Sequence, residues 1–347
     1  MKFQTISCQT LAHSFFLVLL LLCVKLNAQK TESQRIAFYN LENLFHPEND
    51  SLKNDDEYTP EGKRNWSFYR YNEKLNHMAK AILSIGEWQP PSIVGLAEVE
   101  NKQALEDLIS TEVLRKFNYG IIHFESPDRR GIDVGMLYRK DEFTPIASRP
   151  IPVKMHNDPN FVTRDVLYCK GTFSKKDTVH LLFCHWPSRY GGQARSEPKR
   201  IQAALTLKHI TDSLNMLPYP TYVIAAGDFN DEWTNISLRD TLQAHPLVVD
   251  ATNEGLINLM ATLPPAQGSH RYRGTWSYLD QIIVSPSFFN QNSISLIGDQ
   301  AYVVDYNFLL STDDRYPGYV PFRTFIGMKY NGGFSDHLPV YVDLQFK

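Results

Sequence analysis

Much that would divide or classify this chain is missing from it. Its 347 residues hold no internal repeat, no low-complexity segment and no Gly/Ser or Pro linker. A single large domain is the simplest reading, within the range of layered α/β or sandwich enzymes. Basic residues are not in surplus, with 35 Lys and Arg against 38 Asp and Glu. That excludes a protein holding nucleic acid by sheer positive charge, though not an enzyme contacting a few phosphates. Cysteine is scarce, with 4 in all and none at zinc-site spacing. A membrane span needs about 20 apolar residues, and the run 15-FFLVLLLLCV-24 falls short of that.

That run has its own meaning. Lys2 precedes it, and 25-KLNAQK-30 with small Ala28 follows. This is the pattern of a secretory signal peptide over 1–28, leaving a domain over 29–347. A membrane anchor is the weaker alternative because the run is short. A lipid-bearing Cys23 is weaker still, because Leu22 stands where a small residue belongs. Without Lys2 and Lys25 the remainder carries 33 basic and 38 acidic residues, a formal charge of −5. The reading is therefore an exported protein, secreted or periplasmic, with no stable membrane span. No protein partner is indicated, and a monomer is expected. Cys169 and Cys184 remain, on the arms of a hairpin and on the same face. They could form a disulfide in an exported protein, subject to the bond's strict geometry.

The hydrophobic pattern is mixed and mostly strand-like. Strands are expected at 35–41, 92–99, 119–125, 132–139, 166–173, 178–186, 221–226 and 279–285, with a last one near the C-terminus. Leu75, Met78, Ala79 and Ile82 repeat at helical spacing from about Tyr69 to Gly86. Further helices are expected from Lys102 to Thr111 and after Pro198. Many strands with few helices favour two sheets packed face to face with helices outside.

Polar groups recur where apolar strands end. Asn40 and Glu42 follow IAFY, and Glu98 and Glu100 close SIVGLA. His185 closes LLFC, and Asp228 and Asn230 close YVIAA. Asp280 opens QIIVS, while Asp336 and His337 precede LPVYV. Each alone reads as a turn or cap residue, or as an ordinary surface or core histidine. Six such places together suggest a site. Carboxylates with an Asn and water suit a hard cation such as Mg²⁺. Zinc would want clustered histidines or thiolates. With two histidines as proton carriers, the set fits cleavage of a phosphate ester.

GDFN, SDH followed by LPVY, the Glu of LAEVE and the Asn of FYNLENL together resemble the endonuclease/exonuclease/phosphatase superfamily, from about residue 35 to 345. The resemblance implies an α+β fold, a four-layer α/β/β/α sandwich like deoxyribonuclease I, with the site at one mouth. It implies metal binding by Glu98, Asn40, Glu42 and Asp336, with Mg²⁺ as the ion and Mn²⁺ or Ca²⁺ as substitutes. Asp228 would orient or deprotonate water, and Asn230 would hold a phosphate oxygen. His337 would act as base or phosphate donor, oriented by Asp280. His185 in HWPSR resembles the second histidine of the deoxyribonuclease branch; abasic-site nucleases carry a tyrosine there, so the chain departs from that branch. Arg164 in FVTRD stands where a phosphate-contacting arginine is common. Asp133 is a further candidate, as a partner orienting His185. Arg129, Arg130, Arg189, Arg195 and Arg200 are candidates for phosphate contact, with solvated loops as the bland reading.

The implied activity is an exported, metal-dependent endonuclease or phosphodiesterase acting on nucleic acid or another phosphodiester. The Cys-Asp-Arg of inositol phosphatases is absent beside Asp280. The alternative is a phosphatase or phospholipid phosphodiesterase acting on small or lipid phosphates. A binding protein that keeps the fold without catalysis is a third reading, opposed by the full set of acids and histidines.

Overall fold

A computed structural model describes residues 33–87, 89–173, 177–248, 255–290 and 293–346. The expected signal peptide lies outside the described residues.

In chain order, β1 is Ser33–Leu44, α1 Phe68–Ile85, β2 Ile93–Val99, α2 Lys102–Ser110, β3 Tyr119–His123 and β4 Asp133–Arg139. Then come β5 Phe143–Ile151, β6 Val166–Phe173, β7 Thr178–His185, α3 Gln193–Asn215 and β8 Tyr222–Asp228. Short strands follow: β9 Ala244–His245, β10 Leu256–Asn258, β11 His270–Tyr272, β12 Thr275–Ser277, β13 Asp280–Val284, β14 Ile294–Leu296 and β15 Tyr302–Val303. The chain ends with β16 Leu310–Thr312, β17 Tyr319–Pro321, β18 Phe325–Ile326, β19 Lys329–Tyr330 and β20 Val340–Phe346.

Two sheets carry the fold. The first runs β14-β20-β1-β2-β4-β3, with β15 also on β20; the second runs β5-β6-β7-β8-β13-β10-β9. Alternate residues of each strand face the other sheet. Ile36, Phe38, Val134 and Met136 thus meet Leu181, Phe183, Ile224 and Ile282 in one buried core. The opposite face of the first sheet lies under α1 and α2, and that of the second under α3, each with its own buried cluster. Three apolar layers between four structural layers make the deoxyribonuclease I-like sandwich. The stripe Tyr71, Leu75, Met78, Ala79 and Ile82 docks α1. Its larger side chains contribute about 1.5–3 kcal/mol each on burial. Ser67 caps the helix through Arg70 N, and Gly86 closes it.

One strand is additional to those expected from the sequence, and two expectations change. The segment 143–151 carries Pro145 and Pro150, which argue against a central strand. It forms β5, an edge strand, where a missing N–H costs least. Helix α3 begins at Gln193, before Pro198. The buried Arg200 stabilises that early turn by donating to Gln193 O at 3.2 Å and Ser196 Oγ at 2.8 Å. Cys169 and Cys184 are free, and they sit on opposite faces of their sheet, one in the inter-sheet core and one under α3. They cannot bridge, and burial pushes both thiols up to about 12.

Candidate active site

The rows of inward-facing core residues run directly into the polar groups. Phe183 is followed two residues on by His185, Ala226 by Asp228, and Ile282 is preceded by Asp280. A period of two keeps all of these on the inner face. Strand register then aligns the three polar residues: His185 pairs with Asp228 across parallel β7–β8, and Asp228 with Asp280 across antiparallel β8–β13. From the first sheet, Asn40 continues the row of Ile36 and Phe38. Gly227 does not stop the strand, which continues through Asp228. A Cβ at Gly227 would lie 2.3 Å from the Cys184 carbonyl oxygen, so the close β7–β8 approach requires glycine.

Asp228 is the hub. Its Oδ2 accepts from Asn40 Nδ2 at 3.1 Å and lies 3.5 Å from His185 Nε2 and 3.8 Å from His337 Nε2. Its Oδ1 accepts from Asn230 N at 2.9 Å. Burial raises the Asp228 carboxyl to about 7. His337 opposes that rise and Asp280 adds to it. His337 meets Asp280 Oδ2 at 2.7 Å through Nδ1. Burial alone would lower the His337 pKa, but Asp280 and Asp228 outweigh it and hold the imidazole well above its ordinary value. His185 goes the other way: burial and the nearby Arg164 and Arg130 guanidiniums keep it neutral. The two histidines are thus driven to opposite protonation states around one carboxylate, the condition for a proton donor and acceptor in one site.

Glu98 faces the same space. Its Oε2 accepts from Asn43 N at 2.9 Å, and its Oε1 lies 3.8 Å from His185 Nε2 and 4.0 Å from Arg130 Nη1. The backbone here is strained: Glu42, Asn43, Glu98 and Asn230 all have positive φ, at 50°, 58°, 61° and 52°. Such conformations cost on the order of 1–3 kcal/mol each and cluster at functional sites.

The remaining sequence candidates divide. Asn40 directs its amide to Asp228, and its Oδ1 accepts from Glu42 N at 3.0 Å, so it positions Asp228 rather than presenting a free ligand oxygen. Glu42 does not face open space: Arg323 Nε lies 3.2 Å from one oxygen, and Thr324 N donates to the other at 2.6 Å. Burial and Asp336 raise Glu42 to about 7, while burial lowers Lys74 to about 8. Asp336 meets Arg323 Nη2 at 2.9 Å. Asn230 donates to Trp186 O at 3.0 Å. Arg164 is no phosphate contact: its buried guanidinium donates to His185 O, Trp186 O and Asp128, fixing the strand end that carries His185. Asp133 does not orient His185, whose Nδ1 is buried without a hydrogen-bond partner; it faces His123 instead. Arg200 is buried on Asp231 at 2.7 Å, and Arg189 donates to Asn230 O at 2.7 Å. Glu100 lies off the site, accepting from His46 N at 2.6 Å.

Four contributors were not singled out from the sequence. Lys74 donates to Thr324 Oγ1 at 2.5 Å and to Phe334 O. It falls on the apolar stripe of α1, and a lysine in that register is the signal that would have found it. Arg323 joins Glu42 and Asp336. His270 packs its ring on His337, centroids 4.8 Å apart, and burial lowers it to about 4. Ser335 donates to Asn40 O at 2.6 Å and accepts from His337 N at 3.1 Å, tying β1 to the final loop.

The donor set fits a hard cation. Glu98 is a carboxylate 13% exposed, with Arg130 Nη1 4.0 Å away as its nearest cationic contact, and Asp228 supplies a further carboxylate beside it. Among the described residues the acidic and histidine groups that could hold an ion include Asp228, Asp280 and His337, and His270, Asp336 and His337.

A model of the endonuclease/exonuclease/phosphatase family matches residues 35–346. A search of the curated proteins found no match. Among solved structures, a humanized D. rerio TDP2 is 16% identical with a TM-score of 0.55, covering 90% of this chain and 99% of that one. The human Nocturnin catalytic domain, with bound sulfate, is 15% identical with a TM-score of 0.52, covering 91% of this chain and 95% of that one. A Bacteroides thetaiotaomicron mannosyl-6-phosphatase is 19% identical with a TM-score of 0.52, covering 90% of this chain and 100% of that one. These likenesses concern the fold.

Proposed function

The chain belongs to the endonuclease/exonuclease/phosphatase family, and from its site we propose an exported phosphodiesterase that hydrolyses phosphodiester bonds, nucleic acid first among them, with an activated water. The observation that carries this is Asp228 Oδ2 lying 3.5 Å from His185 Nε2 and 3.8 Å from His337 Nε2, with Asp280 on the far nitrogen of His337. Asp228 orients the water and draws its proton. His337, kept cationic by Asp280, donates to a phosphoryl oxygen. His185, neutral, stands beside Asp228 and Glu98 to relay a proton toward the leaving oxygen. Asn40 and Asn230 hold Asp228 in place. A divalent cation, Mg²⁺ first, would be held by Glu98 with help from Asp336, and would supply charge neutralisation at the phosphoryl group. Export rests on the N-terminal 1–28 pattern.

One feature favours a second reading. Arg130, Arg189 and Arg323 stand beside Glu98, Asn230 and Asp336. Guanidiniums beside the proposed cation-binding carboxylates suit the dianion of a phosphomonoester. Assays with bis-nitrophenyl phosphate, nitrophenyl phosphate, plasmid and single-stranded RNA separate the readings. Diester and plasmid cleavage supports the first, and cleavage of the monoester alone supports the second. No turnover of any of these with Mg²⁺ would count against both.

A further inference from the structure

Away from the proposed chemistry, where β3 ends and β4 begins, a second set of ligating groups converges. His123 and Asp133 have side chains only 3% and 1% exposed. His123 Nε2 and Asp133 Oδ2 stand 3.2 Å apart, yet each is buried without a hydrogen-bond partner. Leaving two such atoms unsatisfied is costly, and their alignment does not place a shared proton between them. Two ligands on one tetrahedral zinc, with bonds of about 2.0–2.2 Å, stand roughly 3.3 Å apart. The observed separation is therefore that of two ligands on one ion. Glu125, in the loop after β3, brings a carboxylate within 4.8 Å of Asp133 and the His123 ring, its Oε1 lying 4.0 Å from Nδ1.

We propose that His123, Asp133 and Glu125 form a second cation site, for a zinc-class divalent ion completed by water, separate from the Glu98 mouth. One imidazole with two carboxylates is a borderline donor set, which suits zinc better than the all-oxygen preference of Mg²⁺. Asp133 is already oriented for this, because its Oδ1 accepts from Ser126 N at 2.8 Å. Lys53 now pairs with Glu125 and also donates to Glu100 O at 2.9 Å. The ion would displace the ammonium from Glu125 and leave Lys53 on the Glu100 carbonyl. The site would brace the loop from Glu125 to Gly131. That loop carries Asp128 to Arg164 and Arg130 to Glu98, so the bound ion would steady one wall of the mouth.

The test uses the whole protein, saturated with Mg²⁺ and then exposed to zinc chloride. Anomalous diffraction at the zinc edge should show a peak between His123 Nε2 and Asp133 Oδ2. Calorimetric zinc uptake should weaken by about 100-fold or more in His123→Gln and Asp133→Asn, beyond the 10- to 100-fold typical of an outer-shell partner. Zinc should also raise the melting temperature of the native protein and not of the variants. A map with no zinc peak at this pair, or equal uptake by native protein and variants, would overturn the proposal. If the variants fail to fold, the native map decides alone.

Discussion

His337 Nδ1 and Asp280 Oδ2 are 2.7 Å apart and both residues are buried, one at the start of β13 and one just before β20. The contact leaves His337 Nε2 facing Asp228 at 3.8 Å. It orients the ring and favours its cationic form.

Asp280→Asn keeps the shape of this contact but removes the charge that raises His337. Turnover should fall by about 10²- to 10⁴-fold, as when a histidine loses its orienting carboxylate. The pH profile should shift to lower pH as His337 loses its proton more easily. Steady-state kinetics from pH 5 to 9 check this. An unchanged profile would remove Asp280 from the account.

Arg323 is 42% exposed in its side chain and holds both Glu42 and Asp336. Glu42 is buried, so Arg323→Met leaves its carboxyl without its cation and should lower the melting temperature measurably. Freed carboxylates should bind Mg²⁺ more readily, lowering the half-saturating Mg²⁺ concentration several-fold. A Mg²⁺ titration of activity reads this directly, and a higher requirement would contradict it.

Burial lowers His180 to about 4 from an ordinary 6.5, and the ring is paired with Tyr168 Oη at 2.8 Å. A folded pKa below the unfolded one means the unfolded chain binds more protons between these values. His180 should therefore cost the protein stability as pH falls from 6.5 toward 4, and nothing above. Melting temperatures of His180→Gln should be flatter than the native curve in that window alone. Parallel curves would show that another group controls the acid limb.

Cys169 and Cys184 are free on opposite faces. Reductant should leave the melting temperature unchanged, and denatured protein prepared without residues 1–28 should titrate two thiols without reduction. A disulfide-linked peptide in a digest would contradict the placement.

The sequence displayed most of the fold because the apolar rows are long. Strands such as 166–173 and 178–185, and helix α1, announce themselves by period. Strand β5 was hidden by Pro145 and Pro150, which an edge position tolerates. The candidate site was legible where a polar residue stands two positions from an inward apolar one at a strand end, after it at His185 and Asp228 and before it at Asp280. Pairing between distant segments was not legible. Nothing local says that Arg323 reaches back 281 positions to Glu42, or that Asp133 meets His123 and not His185. Arg164 failed as a phosphate contact for a related reason. The His185 and Trp186 carbonyls and Asp128 take its donors.

The central claim is that Asp228 activates water at a metal-dependent phosphoester site. It is tested by diester hydrolysis in Mg²⁺, with and without chelator, for the native protein and Asp228→Asn. The account predicts turnover that chelator abolishes and that the variant loses by on the order of 10³-fold or more. The variant's melting temperature should be unchanged or raised, since a buried charge is removed. Native-like turnover by the variant, or full activity in chelator, would contradict the account.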